Sequence, residues 1–452
     1  MSMGRRGGVA ETHRDRVRTG RRGSNGSGFV LGLTEARWAA KFEWPGAPRW
    51  AVWMWIPLAL IVAGPLPLIQ APLLERGAPI FWLLTGGWLM VAALMARASW
   101  PFALLFVWAG LRTFWMGIQV DPVSLLAGAA VMEAGRARPV QLLVLWAMAG
   151  LCYWAARDLP ERAARLAGWA ALLGGAVEVG FGYLNLWQWY PWMTVVVPDQ
   201  VGRPMGFLTH PNYWGSYIAL CLPLAWALGG ILPAVALYAM TAATVSGGPI
   251  IAASAGALLL AWPQLGRRLR WLAAGGAGVT VAGVMTAHEW RLSGRWEVWQ
   301  AILPEALRYP WIGQGLGSWR IWADHYNQKI QKVGWATLQA HNEPYQLWFE
   351  LGAVGVLIAA LWGAQALLAA RRAWRLHPAP SRPWWTPGCV PLERAWVAML
   401  AVAAVNSLGS PVFHLPGQAA LILLALGRTQ AAAAAEPPEF IPGRSGRAKG
   451  GP

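Results

Sequence analysis

His341 and Asn342 close a long polar, Trp-rich segment, and the stretch they open, HNEPYQLWFELGAVG at 341–355, runs into an apolar segment from Tyr345 to Ala370 that is long enough to cross a bilayer. The pair is therefore expected at a membrane surface. A neutral imidazole takes up a proton near physiological pH, the adjacent Asn342 can bond to it or to a substrate, and Gly352 and Gly355 allow another helix to approach closely. Those properties suit a general base mounted at a helix entrance. They suit equally a solvated, interfacial histidine with no chemistry.

Anion chemistry is written in two other places. Val201 to Gly215, VGRPMGFLTHPNYWG, sets Arg203 beside Gly202 and Gly206, so that guanidinium and backbone can both reach an anion; Pro211 and Asn212 then begin a helix whose free N–H groups favour negative charge. Arg203 can also anchor at headgroup level, and His210 reads as a cap or interfacial residue. His288 to Trp299, HEWRLSGRWEVW, places Arg291 and Arg295 on one helical turn, where two guanidinium groups can clamp a diphosphate. The alternative is pairing with Glu289 and Glu297 on an interfacial amphipathic helix. Pro310 to Trp319, PWIGQGLGSW, contains GxGxG without a preceding strand, and reads as a tight turn returning the loop to the membrane rather than a dinucleotide fingerprint. Glu350 can orient a group near His341 or cap a neighbouring helix. Arg112 and Glu178 lie inside apolar runs, where a charge costs at least about 2.5 kcal/mol; a bridge between them or a role in a donor path would account for them.

The elements that must position these residues are membrane helices. Of 452 residues, 56% are hydrophobic and only 13% charged, about half the charge of a soluble chain. About twelve apolar segments of spanning or near-spanning length follow one another near 50–70, 80–96, 101–120, 140–156, 165–186, 212–228, 231–246, 249–263, 270–287, 345–370, 394–409 and 412–427. The fold class expected is an all-α, polytopic membrane protein over 50–430, between a basic Arg/Gly/Ser tail at 1–49 and an Ala/Pro-rich tail at 431–452, both disordered and cytoplasmic. With both termini inside, Arg97 and the connectors carrying Arg157, Arg162 and Arg165, then Arg267, Arg268 and Arg270, then Arg371, Arg372 and Arg375 all fall on the cytoplasmic side. The same parity sends 121–139, 187–211 and the large loop 288–344 to the outer face, with the histidines and aromatics.

The net charge of +17 is thus explained by topology, with no aromatic-interleaved groove to suggest nucleic acid. Contact with membrane lipids is expected, including of the basic tail. Cys152, Cys221 and Cys389 form no CxxC pattern and imply neither a disulfide framework nor a metal cluster. The number of spans also fits a transporter of small anions or sugars, although no two halves repeat each other and the loop 288–344 has no counterpart in the first half.

Taken in order, GRPMGFLTHPN at 202–212, GRWEVWQAI and YPWIGQGLGSW within 294–319, and HNEPYQLWFELGAVG at 341–355 resemble the superfamily of O-antigen ligases and O-antigen polymerases, over roughly residues 200 to 360. The resemblance implies a GT-C-like helical fold in the bacterial cytoplasmic membrane. It implies transfer of a glycan from an undecaprenyl diphosphate carrier to a glycan, lipid or protein acceptor on the outer side, with no metal or other cofactor; direct attack of an acceptor hydroxyl on the carbon bearing the diphosphate should invert that centre. Carried over residue by residue, it makes His341 resemble the base and Arg203 and Arg295 the arginines on the diphosphate, with Arg291 as a further candidate and Asn342, Glu350 and Asn212 in support. One departure is visible: many members have an Arg after Ser in the helix matching 244–254, where this chain has Ser246-Gly247-Gly248.

Overall fold

The computed structural model describes residues 99–114, 142, 145–186, 204, 210–287, 295–319, 322, 339–380, 382–383 and 385–435, all within the second of the chain's two units, 48–452. The expected tail at 1–49, the apolar segments 50–70 and 80–96, and Arg203 and Arg291 lie outside the described residues. Every regular element among the described residues is helical.

In chain order the helices are α1 (Trp100–Phe114), α2 (Glu161–Leu186), α3 (Pro211–Gly229), α4 (Ile231–Ala243), α5 (Gly247–Ala261), α6 (Arg267–Ala287), α7 (Arg295–Arg308), α8 (Glu343–Leu376), α9 (Leu392–Ser407) and α10 (Pro416–Ala434). Residues 145–157 are also helical. Each matches one of the apolar segments read from the sequence, except α7, which lies in the large loop. α10 runs on to Ala434, into the Ala-rich stretch taken as the start of the tail.

Two helices, Glu161–Tyr183 and Glu343–Leu376, are long and apolar enough to cross a membrane, while Trp100–Arg112 and Ile231–Ala243 are apolar but shorter. In the second long helix only 11% of the most apolar window is buried, which distinguishes it from the core helix of a soluble protein. Leu357, Leu361, Leu367 and Leu368 stand exposed along it, as do Leu166, Trp169 and Leu173 on α2. Apolar side chains turned outward in rows are stable against lipid and costly against water.

α3 is the opposite case. From Trp214 to Ala227 it is buried on every side, packed among α2, α4, α5 and α9. Its start is set by Pro211 at the first helical position, with His210 as the cap: His210 Nδ1 accepts from the Asn212 N–H at 3.1 Å.

α8 is broken at Gly352 (φ 69°, ψ −174°), a conformation essentially restricted to glycine. The break frees backbone groups on both sides of it, and the Pro310–Gly317 turn supplies their partners. Gln314 and Gly315 N–H donate to Phe349 and Glu350 O, while Ala353 and Val354 N–H donate to Pro310 and Trp311 O, all at 2.8–3.1 Å. Trp108 Nε1 donates to Leu351 O at 2.9 Å. Gly313 faces Gly352 so closely that a Cβ on either would lie within 2.5 Å of the other segment's backbone. The Gly pair in α8 was expected to admit another helix; Gly352 instead admits this turn. Arg112, expected to bridge to Glu178, has its guanidinium Nη2 on the carbonyl of Gly313, at the same junction.

Candidate functional site

Several helix ends converge on His341. α7 begins at Arg295 and is held against the first half of α8 by Val298, Ile302 and Ala306, which pack with Trp319, Trp322, Ala340 and Phe349. Within that cluster Trp299 Nε1 donates to Ala340 O at 2.8 Å, Tyr345 Oη donates to Trp299 O at 2.9 Å, and Ala340 N–H donates to Gln346 Oε1 at 3.0 Å. The backbone just before His341 is therefore fixed on both sides. His341 itself takes a positive φ of 53°, rare for a residue with a side chain and the kind of local strain that surrounding contacts must sustain.

His341 is only 4% exposed, which removes the solvated alternative. Its ring stacks near Tyr213 (centroids 6.0 Å, 22°) and lies 6.0 Å from His210, both at the entrance of α3. Burial, then the positive charge of Arg295, then His210, hold its proton affinity well below the ordinary 6.5, so the imidazole is neutral at physiological pH. Burial likewise lowers Arg295 below its usual value, opposed by Tyr213, although a guanidinium stays charged. Arg295 Nη1 donates to Gly409 O at 3.1 Å, and its buried Nε has no hydrogen-bond partner among the described residues. The structure thus brings Arg295 and His341 together, with His210 and Tyr213 of the α3 entrance against the imidazole. Asn212, between those two in sequence, lies at the start of α3 and makes no hydrogen bond to Arg295 or His341 among the described residues.

Asn342 caps α8: its Oδ1 accepts from Tyr345 N–H at 2.8 Å and its Nδ2 donates to Leu408 O at 3.3 Å. Both contacts are structural, and neither goes to the imidazole. Glu350 does not reach His341. Its Oε1 accepts from Gln346 Nε2 at 3.0 Å and its Oε2 faces His414 Nε2 at 3.4 Å. His414, read from the sequence as part of an apolar segment, sits in the 3-10 turn Val412–His414 between two carboxylates of α8, with its Nδ1 3.1 Å from Glu343 Oε2. Glu343 Oε1 also accepts from Phe413 N–H at 2.6 Å. Glu343 and Glu350, two turns apart on one helix face, thereby tie the segment after the base to the turn after α9. Lone acidic residues at 343 and 350 and a lone His at 414 were the only signal in the sequence.

Among the described residues these elements are all helical, two of them long and apolar enough to cross a membrane, with a buried His and Arg where several helix ends meet. A family model described as O-antigen ligase matches residues 232–360, a span that contains both Arg295 and His341. Over that span the chain is similar to the O-antigen ligases, and the match does not favour the transporter alternative. No curated protein matches the chain.

Proposed function

We propose that the chain is an inverting glycosyltransferase of the bacterial cytoplasmic membrane, multi-pass with both termini inside. It moves a glycan from an undecaprenyl diphosphate carrier to an acceptor hydroxyl on a glycan, a lipid or a protein at the outer face. One observation carries this reading: a buried Arg with a free Nε, and no carboxylate partner among the described residues, stands beside a buried neutral His. A cation without a counter-ion in a low-dielectric site favours an anionic ligand, and a neutral imidazole next to it favours proton acceptance.

The chemistry asks little more. The acceptor oxygen attacks the anomeric carbon from the face opposite the diphosphate, the carbon–oxygen bond to phosphate breaks, and the electron pair leaves on the phosphate oxygen. The hydroxyl proton goes to His341. Arg295, with Arg203 and Arg291 as further candidates, stabilises the departing charge in the role a metal ion has elsewhere. Asn342, Asn212 and Glu350 act in support, by holding the loop and helix entrances. Burial, the largest cause depressing His341, persists; arrival of the diphosphate offsets the charge of Arg295, the next cause, and so raises the proton affinity of the imidazole.

The test is transfer by the purified chain from an undecaprenyl-diphosphate-linked glycan. His341→Ala is expected to lower the rate about a hundred- to ten-thousand-fold with normal membrane insertion. Full activity in that variant, or retained anomeric configuration in the product by NMR, would remove the mechanism.

A further inference from the structure

His414 has no part in the mechanism above, yet it is tied to the chain on both sides of His341. Its ring sits between two carboxylates of α8, with Nδ1 3.1 Å from Glu343 Oε2 and Nε2 3.4 Å from Glu350 Oε2. All three residues are buried. A carboxylate only accepts, and a neutral imidazole donates through one nitrogen alone. The cluster is satisfied when it holds one proton more than a neutral ring and two carboxylates would, so that neither buried contact sets acceptor against acceptor.

Two arms lead from this ring to the base. The short arm is Glu343, two residues after His341, whose Oε1 also accepts from Phe413 N–H at 2.6 Å. The long arm runs from Glu350 through Gln346. Gln346 Nε2 donates to Glu350 Oε1 at 3.0 Å and to Gln339 Oε1 at 2.9 Å, while its Oε1 accepts at 3.0 Å from the N–H of Ala340, the residue before His341. Glu350, an acceptor on that side, thus fixes which way the amide points. The turn that carries His414 is anchored in its own right: Trp146 Nε1 donates to Phe413 O at 3.2 Å, and the Phe413 ring lies against Trp362 with centroids 5.7 Å apart. Between the two arms His341 holds φ 53°, a conformation that persists only while its surroundings enforce it.

We propose that His414 is a positioning residue for His341: through Glu343 on one side, and through Glu350 and Gln346 on the other, its ring holds the strained backbone that presents the base. The consequence for catalysis rests on the transfer reaction proposed above; the hold on the backbone around His341 does not.

The test uses the full chain in phosphatidylcholine discs. A glutamine side chain has one donating and one accepting end. His414→Gln therefore sets an oxygen against one of the two carboxylates and opens one arm. Adding Glu350→Gln gives that oxygen a donor while leaving an acceptor for Gln346, and both arms close again. His414→Gln alone is expected to lower kcat about 10- to 100-fold with donor KM unchanged, and to speed hydrogen exchange at the Ala340 amide. The paired variant is expected to recover most of both. Unchanged kcat and exchange in His414→Gln, a KM that rises as kcat falls, or a paired variant no better than the single one overturns the proposal. If His414→Gln does not insert, the paired variant decides: kcat near that of the wild type supports the proposal, and slow transfer by the folded protein overturns it. Exchange at Ala340 that quickens in His414→Gln and recovers in the pair, in a chain that transfers no glycan, would leave the hold standing and remove the transferase. Wild-type transfer with kcat and exchange unmoved by His414→Gln would do the reverse.

Discussion

Gly352→Ala should be among the most damaging single-methyl additions in the chain. Gly352 holds φ 69° and ψ −174°, a region in which a residue with a Cβ pays about 1–3 kcal/mol. A Cβ there would also lie 2.3 Å from the carbonyl carbon and oxygen of Trp311 and 2.4 Å from Ile312 N, which are backbone atoms and cannot rotate away. The Pro310–Gly317 turn must then withdraw. Withdrawal endangers the bonds from Gln314 to Phe349, Gly315 to Glu350, Ala353 to Pro310 and Val354 to Trp311, each worth about 1 kcal/mol. With all four bonds lost the sum is roughly 5–7 kcal/mol, a large part of the total stability of an ordinary domain. Gly363→Ala, further along the same helix with nothing within 4 Å of its Cβ position, is the control and should gain about 0.5–1 kcal/mol. Unfolding of the two variants in phosphatidylcholine discs measures the difference. Equal stabilities would refute the reasoning. Gly313→Ala meets the Glu350 carbonyl at 2.4 Å, so combining it with Gly352→Ala should cost less than the two single losses added.

Other outcomes follow from the site. Because burial and Arg295 depress His341 in the free protein and bound diphosphate offsets the cation, the acid limb of kcat/KM should lie below pH 6.5 and that of kcat at higher pH; coincident limbs would contradict this. The sign for stability is set by the same shift: the unfolded chain binds the His341 proton more readily, so stability should fall as pH drops below 6.5, and His341→Gln should flatten that slope in urea titrations. Arg295→Lys keeps the charge but loses the planar fork, and should raise donor KM about tenfold, read in steady-state transfer assays. Trp299→Phe deletes the bond to Ala340 O and should cost about 1 kcal/mol by unfolding, with a lower kcat as the loop before His341 loosens.

Where the helices begin was largely legible. Pro211-Asn212 after His210, and Asn342 followed by Glu343-Pro344, are local signals, and each marks a helix start in the structure. The resemblance assigned Arg295 and His341 to one site; no contact between them is displayed by the sequence itself, and the structure supplies their proximity. What stayed hidden depends on partners distant in the chain. GxxG in an apolar run reads as a helix-packing face, because nothing near Gly352 says that a turn some forty residues earlier fills a break there. Glu350 and His414 were separable from bland readings only once the fold placed them 3.4 Å apart. Burial decided His341 in the same way: a solvated and an enclosed imidazole are spelled alike.

The join at Gly352 resembles a scarf joint more than an elbow. Two lengths of helix meet end to end, and a third piece of chain is laced to both, so the lower length cannot swing without unlacing the upper. Whatever tilts the lipid-facing portion of α8 must therefore carry the Pro310–Gly317 turn and His341 with it as one body. Under the proposed function, donor and acceptor are brought to an imidazole that keeps its station.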